Sequence, residues 1–210
     1  MSDSTLLEST EIPAPKRSWI WFALTSGLVL IFLVSLFLGR YPQAGLVRLE
    51  QLQENELARL LVFNVRLPRL LTALLLGMVM ASAGTVFQMI FANPLVEPGF
   101  LGVSQGAAFG AALGIVFLGA TSMAVQGMAI IFAFIGLGFS YLLARRMHIG
   151  DWLLRLVLAG IAVSALFSAG VGIIKFMADP MRQLPEITFW MLGGLASITW
   201  AKFLSILPAC

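Results

Sequence analysis

RLPRLLTALLLGMVMASAGTVFQMIFANPLVEPGFLGVSQGAAFG, residues 66–110, decides how this chain is built. Arg66 and Arg69 stand at the mouth of an apolar stretch, and no charged residue occurs from Leu70 to Val96. A tight polar turn, Asn93-Pro94-Leu95-Val96-Glu97-Pro98-Gly99, then breaks the run, and a glycine-studded apolar run comes at once. A bilayer span needs about 20 mostly apolar residues, so the pattern is that of a membrane hairpin. Pro94 has no amide proton and cannot continue the first helix. Asn93 can satisfy loose backbone groups at that helix end. Pro98-Gly99 turns the chain into the second helix. The loop is too short to be a domain. It fixes two helix ends beside each other, which suits a gate or a simple hairpin.

Composition agrees with a membrane chain. It is 60% hydrophobic and 11% charged, whereas soluble domains carry about 25% charged residues. Mean hydropathy is +0.96. Residues 98–144 contain no Asp, Glu, Lys, Arg or His, which is enough apolar sequence for two spans. The net charge of +3 is spread out and gives no nucleic-acid footprint. Cys210 is the lone cysteine, so no disulfide framework is expected.

The spans hold no ionisable residue at mid-depth, which argues against a proton- or ion-coupled carrier and an intramembrane protease. An enzyme needs an acid, base, nucleophile or metal ligand. The sole histidine, His148, sits in a loop with no partner geometry in sight. Met78, Met80 and Met89 do not share one helix face, so they read as flexible packing and not as a soft-metal path. No catalytic residue, metal site or cofactor is expected.

The layout comes from these runs. Residues 1–17 form a polar tail expected to be disordered, and 18–210 form the transmembrane domain. Span one covers about Ser18 to Leu38. A signal peptide fails here because the leading tail carries acids, the apolar core is too long and no small-residue cleavage site comes after it. Residues 39–69 read as the only long polar loop. Within it Leu46, Leu49, Leu57, Leu60 and Leu61 fall near helical spacing, so either a surface amphipathic helix or a plain solvated loop fits. Span two covers about Leu70 to Ala92, span three Phe100 to Leu118, span four Met123 to Ala144 and span five Trp152 to Met177. Beyond them, either 188–210 is one span carrying Lys202, or a short helix precedes a partial sixth span that starts at Trp200. The expected fold is an all-α integral membrane bundle with about five complete spans and a partial or complete sixth.

Helices in lipid associate through small residues that let backbones approach. Gly102, Gly106, Gly110 and Gly114 recur every fourth residue in span three. Ala73, Gly77, Ala81 and Thr85 do so in span two, and Gly160, Ser164, Ser168 and Gly172 in span five. Three such ridges predict a tightly packed bundle, with Gly77, Gly102, Gly106, Gly110, Gly114 and Gly160 as packing positions. Arg66 and Arg69 flank Pro68 and belong at the surface, since each would cost about 2.5–3.5 kcal/mol at mid-membrane. They serve either as headgroup anchors or as a cationic patch for carboxylates of a partner protein.

These residues resemble the FecCD-type permeases of bacterial ABC importers for ferric siderophores, haem and cobalamin. The resemblance lies in Arg66-Leu67-Pro68-Arg69, Ser82-Ala83-Gly84, Gln88, and above all Asn93-Pro94-Leu95-Val96-Glu97-Pro98 with Leu101-Gly102-Val103-Ser104 and Gly106-Ala107-Ala108. Leu158-Ala159-Gly160-Ile161-Ala162 and Phe189-Trp190-Met191-Leu192-Gly193-Gly194 fit as well. The central block is highly specific, and the match runs from about residue 18 to the end.

The resemblance implies a homodimeric permease in the bacterial inner (plasma) membrane, in contact with lipid. A separate pair of ABC ATPase subunits drives it from the cytoplasm, and a periplasmic or lipid-anchored substrate-binding protein feeds it from outside. It implies that Arg66 and Arg69 dock that binding protein, and that Asn93 and Leu95 close the cytoplasmic end of the path. A second closing element of the family, before span five, is not carried over, because Leu153 and Leu154 stand where the family has small polar residues. The resemblance also favours a short outer helix near 187–196 and then a severed span. Family members run well beyond this length, so the chain is expected to be a front portion. The expected function is import of an iron-siderophore-type complex. The alternatives are a cobalamin or haem permease, or a transport-inactive membrane scaffold. With the tail inside, Arg40, Arg48, Arg59, Arg66, Arg69, Lys175 and Arg182 lie outside, a topology that the positive-inside rule would not choose.

Overall fold

The apolar runs fold as helices, and polar side chains cap several of them. A computed structural model describes residues 18–39, 45–47, 52, 54–94 and 96–207. The polar tail 1–17, the gate candidate Leu95 and Cys210 lie outside the described residues. Helix α1 is Ser18–Phe37. A minimal antiparallel pair, β1 (Leu38–Gly39) and β2 (Gly45–Leu46), sets Leu38 opposite Leu46. Helix α2 (Glu56–Leu60) passes through a π-helical stretch, Leu61–Arg66, into α3 (Leu67–Phe91). A 3₁₀ turn, Pro98–Leu101, precedes α4 (Val103–Phe117). Then come α5 (Ser122–Arg146), α6 (Trp152–Met177), α7 (Gln183–Leu192) and α8 (Trp200–Ile206).

Four helical stretches among the described residues are long and apolar enough to cross a membrane: Ser18–Phe37, Glu56–Phe91, Ser122–Arg146 and Trp152–Met177. Helix α4 is apolar but has 15 residues, a rise of about 22 Å. The expected third span, from Phe100, therefore divides. Gly102 takes a left-handed φ of 77°, which ends the 3₁₀ turn and starts α4 in a new direction. At the other end, Gly193 at φ 66° closes α7, so a short helix and then a separate α8 is the arrangement found.

Of the two readings of 39–69, helix is the one found from Glu56 onward, but as the start of the long helix and not as a separate surface helix. Helix begins at Glu56, and Glu56–Phe91 is one continuous helix of 36 residues. Asn55 starts it by accepting a hydrogen bond on its side chain from Ala58 N at 3.2 Å, the usual way to satisfy a first-turn amide. Pro68 lacks an amide proton and would disturb an α-helical register. The wider π register just before it makes room for the proline ring, though it cannot replace the missing amide. A proline between two arginines therefore reads as a loop in sequence, while the chain passes through it as helix.

The chain divides into two compact units: residues up to 71 with 198–206, and residues 72–197 with 207 onward. In the first unit Ala58 and Val62 are buried, and Val47 N donates to Phe37 O at 2.9 Å. Most of α1 is exposed, as its Trp19, Phe22 and Ile31 show. In the second unit α4, α5 and α6 pack on one another. Their core joins Ala111, Ala112 and Ile115 of α4 to Val125 and Ala129 of α5, Ile174 of α6 and Ile187 of α7. Phe109, Phe132, Phe139 and Phe167 add an aromatic cluster, with Phe109 and Phe132 edge-on at 5.3 Å between centroids.

Candidate functional site

The turn after α3 is built by side-chain and backbone bonds that finish one helix and start the next. Gln88 Nε2 donates to Pro94 O at 3.1 Å. Asn93 N donates to Gln88 O at 3.2 Å, and Val96 N to Asn93 O at 3.4 Å. Ala92 is held at a positive φ of 46°, a conformation uncommon for a residue with a side chain. Phe91, Val96 and Leu101 are buried together, with Leu153, Leu156 and Val157 packed against them.

A recess of about 400 Å³ opens here. Phe91, Asn93, Val96, Phe100, Asp151, Leu153, Leu154 and Val157 line it. Asn93, from the 93–99 turn, thus shares a wall with the start of α6. Asp151 caps that helix, its Oδ1 accepting from Leu154 N at 3.1 Å, and Arg155 Nη1 donates to Met147 O at 3.0 Å. Among the described residues, no group of three or more His, Cys, Asp or Glu side chains gathers to hold a metal.

The second unit also holds all six glycine packing positions. A Cβ at Gly106 would meet Phe132 O, and one at Gly110 would meet Met128 O. At Gly114 it would stand 3.0 Å from Val125 Cα, and at Gly160 2.9 Å from Leu101 Cα. At Gly102 a Cβ would stand 3.0 Å from Val163 Cγ1 and 3.1 Å from Ser140 Oγ. Gly77 differs: among the described residues, nothing lies within 4 Å of where its Cβ would be. Ser140 is fully buried, and its hydroxyl lies 2.8 Å from Leu101 O and 3.0 Å from Gly136 O. It ties the C-terminal part of α5 to the residue before Gly102.

In the first unit, Arg66 ends the π-helical stretch and Arg69 lies in the first turn of α3, both half-buried. Arg66 Nη1 donates to Leu36 O at 3.3 Å, near the C-terminal end of α1. A cation is favoured at a helix C-terminus. The guanidinium fills the space over Gly39, where any Cβ would collide with it. Trp200 Nε1 of α8 donates to Phe63 O at 2.9 Å.

The family model described as the FecCD transport family matches residues 27–210. The chain belongs to the FecCD transport family. The molybdate import system permease protein MolB of Haemophilus influenzae is 38% identical over 192 residues, covering 88% of this chain and 56% of that protein. The hemin transport system permease protein HmuU of Yersinia pestis is 37% identical over 197 residues, covering 88% and 58%. A solved structure described as "an inward-facing conformation of a putative metal-chelate type ABC transporter" superposes with a TM-score of 0.77 at 36% identity, covering 91% of this chain and 58% of that one. This FecCD chain spans about half the length of the relatives it matches. With its helices long and apolar enough to cross a bilayer, it is a multi-pass inner-membrane protein with an all-α bundle fold.

Local sequence does not place Asp151, Leu153 or Leu154 beside Asn93. Leu153 and Leu154 lack the small polar character that the family resemblance calls for there, yet apolar side chains are what line most of the recess. The signal available is the Asp151 cap at the start of a long apolar run, which fixes where α6 begins. Trp200, which in sequence marks only the start of a partial span, is bonded to the helix before Arg66.

Proposed function

We propose that this chain is the front part of the membrane permease of an ABC importer, and that its cargo is a metal chelate of the iron-siderophore type. The observation that carries the reading is the built turn at 93–99. It ends α3 and leads into the 3₁₀ turn beside the start of α6, and leaves a recess lined mainly by apolar residues, in a chain whose FecCD match covers residues 27–210. In this reading Asn93 and Leu95 close the cytoplasmic end of the path, with Leu153 and Leu154 on the facing wall. Cargo passes by alternating access between that closure and an outer mouth. The permease does no chemistry on its cargo. ATP hydrolysis belongs to a separate pair of ATPase subunits, a second permease copy completes the path, and a substrate-binding protein docks on Arg66 and Arg69.

The metal-chelate transporter at 36% identity supports the cargo class. A second cargo, molybdate, has its own support in the MolB relative at 38% identity. The test is uptake in cells that lack their native permease but keep its ATPase and binding protein. Radiolabelled ferric siderophore, molybdate, haem and cobalamin are supplied in turn, with the 210-residue chain and with a reading frame extended to the length of the relatives. Ferric siderophore uptake by the extended chain alone is expected. Uptake of molybdate only would replace the cargo, and restored uptake by the 210-residue chain would overturn the front-part reading.

A further inference from the structure

Phe63 stands in an unusual place for a helix carbonyl. In the π-helical stretch each carbonyl accepts from the amide five residues on, and Leu67 N does donate to Val62 O. The next carbonyl in that register is Phe63 O, and the fifth residue after Phe63 is Pro68, which has no amide proton. The helix cannot supply that bond. The indole of Trp200, 137 residues away in sequence, supplies it instead, with Nε1 at 2.9 Å from Phe63 O. Tryptophan suits the task because its N–H donates and never accepts, and because its ring is at home at a membrane–water interface. The acceptor lies in the turn that ends on Arg66, whose own guanidinium is anchored on Leu36 O.

We propose that Trp200 is a positioning residue for the Arg66–Arg69 docking face. Its indole replaces the hydrogen bond that Pro68 removes and holds the π-helical turn, and with it the direction of both arginines. The proposal rests on the docking reading given above. It assigns a role to α8 as well: the helix that starts at Trp200 is tethered to the docking turn at its first residue, so a displacement of either is felt by the other.

The experiment is a double-mutant cycle on the protein in nanodiscs, extended to the length of its relatives, with its substrate-binding protein as the probe. Pro68→Ala restores an amide at position 68 and gives Phe63 O a partner within the helix. Trp200→Phe keeps an aromatic ring, though a smaller one, and removes the donor. Trp200→Phe alone is expected to weaken binding about 5-fold, the size of one lost hydrogen bond. In the Pro68→Ala background the same change is expected to have no further effect. An equal loss in both backgrounds, or no loss in either, would overturn the proposal. A second readout does not depend on docking. With 5-fluorotryptophan incorporated, the Trp200 resonance is expected to move in Pro68→Ala, and an unmoved resonance would mean the indole does not serve Phe63. Arg66→Glu with Arg69→Glu is the control for the docking reading. If that pair leaves affinity unchanged, docking at the arginines falls and positioning falls with it, whatever the resonance shows.

Discussion

Helices α3 and α4 carry small residues at the same spacing and live in different surroundings. In α4, Gly106, Gly110 and Gly114 each lie against the backbone of α5, so close that a Cβ at the first two would meet a carbonyl oxygen. In α3, Gly77 and Gly84 have nothing within 4 Å of a Cβ position among the described residues. The difference lies in the connection that leaves each helix. After α4 the chain turns at Gly119 and Ala120, both at positive φ, and Thr121 caps α5 by accepting from Ala124 N at 3.3 Å. A connection that short makes the next helix an antiparallel neighbour, and the glycines of α4 meet it at once. Helix α3 instead runs into the 92–102 segment. A stripe of small residues permits close approach; chain connectivity decides who approaches.

The strongest way to break this contrast is Gly110→Leu. Met128 O and Phe132 Cβ occupy the space that the new side chain needs. Backbone cannot rotate away as a side chain can, so α4 and α5 must separate. A loss of about 3 kcal/mol, the upper end for overpacking, is expected as a lower thermal midpoint in detergent. A wild-type midpoint would mean that α4 does not meet α5 along this ridge. Gly160→Leu is expected to behave alike, since Phe100 O and Leu101 Cα stand in its way.

Ser140→Ala tests whether the contact is held by more than shape. The hydroxyl serves a buried carbonyl on each side, Leu101 O and Gly136 O. Gly136 O belongs to the same helix, so the bond to Leu101 is the one that crosses between elements. Removing a buried donor costs about 1–3 kcal/mol. The expected midpoint therefore falls between wild type and Gly110→Leu. A neutral result would leave the packing of Gly102 and Gly136 as the whole of the attachment, since a Cβ at Gly136 would meet Gly102 O at 2.6 Å.

The contrast also marks how far the sequence could be read. Apolar length revealed the spans, because a bilayer imposes a minimum on every helix that crosses it. Asn93-Pro94 and Pro98-Gly99 marked the break between α3 and α4, because proline and glycine restrict backbone in known ways. The start of the long helix at Glu56 was hidden, because Pro68 and its two arginines carry the chemistry of a loop and only the π register reconciles them with a helix. The wall shared by Asn93, Leu153 and Leu154 was hidden for another reason. Those residues are brought together by the packing of α6 against the 3₁₀ turn, and no local period records a contact between residues 93 and 154.

Asp151→Ala probes the recess at its edge. Asp151 is exposed and caps α6 by accepting from Leu154 N. Losing an N-cap costs about 1 kcal/mol, so only a small fall in midpoint is expected. The first turn of α6 carries Leu153 and Leu154, and fraying there would loosen the wall that faces Asn93. Amide hydrogen exchange at residues 152–155 is expected to rise while exchange in the middle of α6 stays unchanged. A uniform rise along α6 would mean that the cap supports the whole helix and not its first turn.

The smallest expected effect is the most informative about α3. Gly77→Leu places a large side chain where the described residues leave open space. Surface changes of this kind stay within about 0.5 kcal/mol, and leucine is a better helix former than glycine by roughly the same amount or more. The 210-residue chain is therefore expected to show a thermal midpoint at or slightly above wild type, in contrast to Gly110→Leu. The same substitution in a chain extended to the length of its relatives separates two meanings of the Ala73, Gly77, Ala81 stripe. A midpoint still at wild type would make it a lipid-facing surface, where small size has no packing use. A loss comparable to that of Gly110→Leu, appearing only in the longer chain, would mean that α3 is also a close-packed helix, and that its neighbour is contributed by sequence beyond these residues or by a second copy. Cross-linking through Gly77→Cys would then distinguish those neighbours, since only a second copy yields a covalent dimer from a chain bearing that single introduced thiol, with Cys210 replaced by Ser.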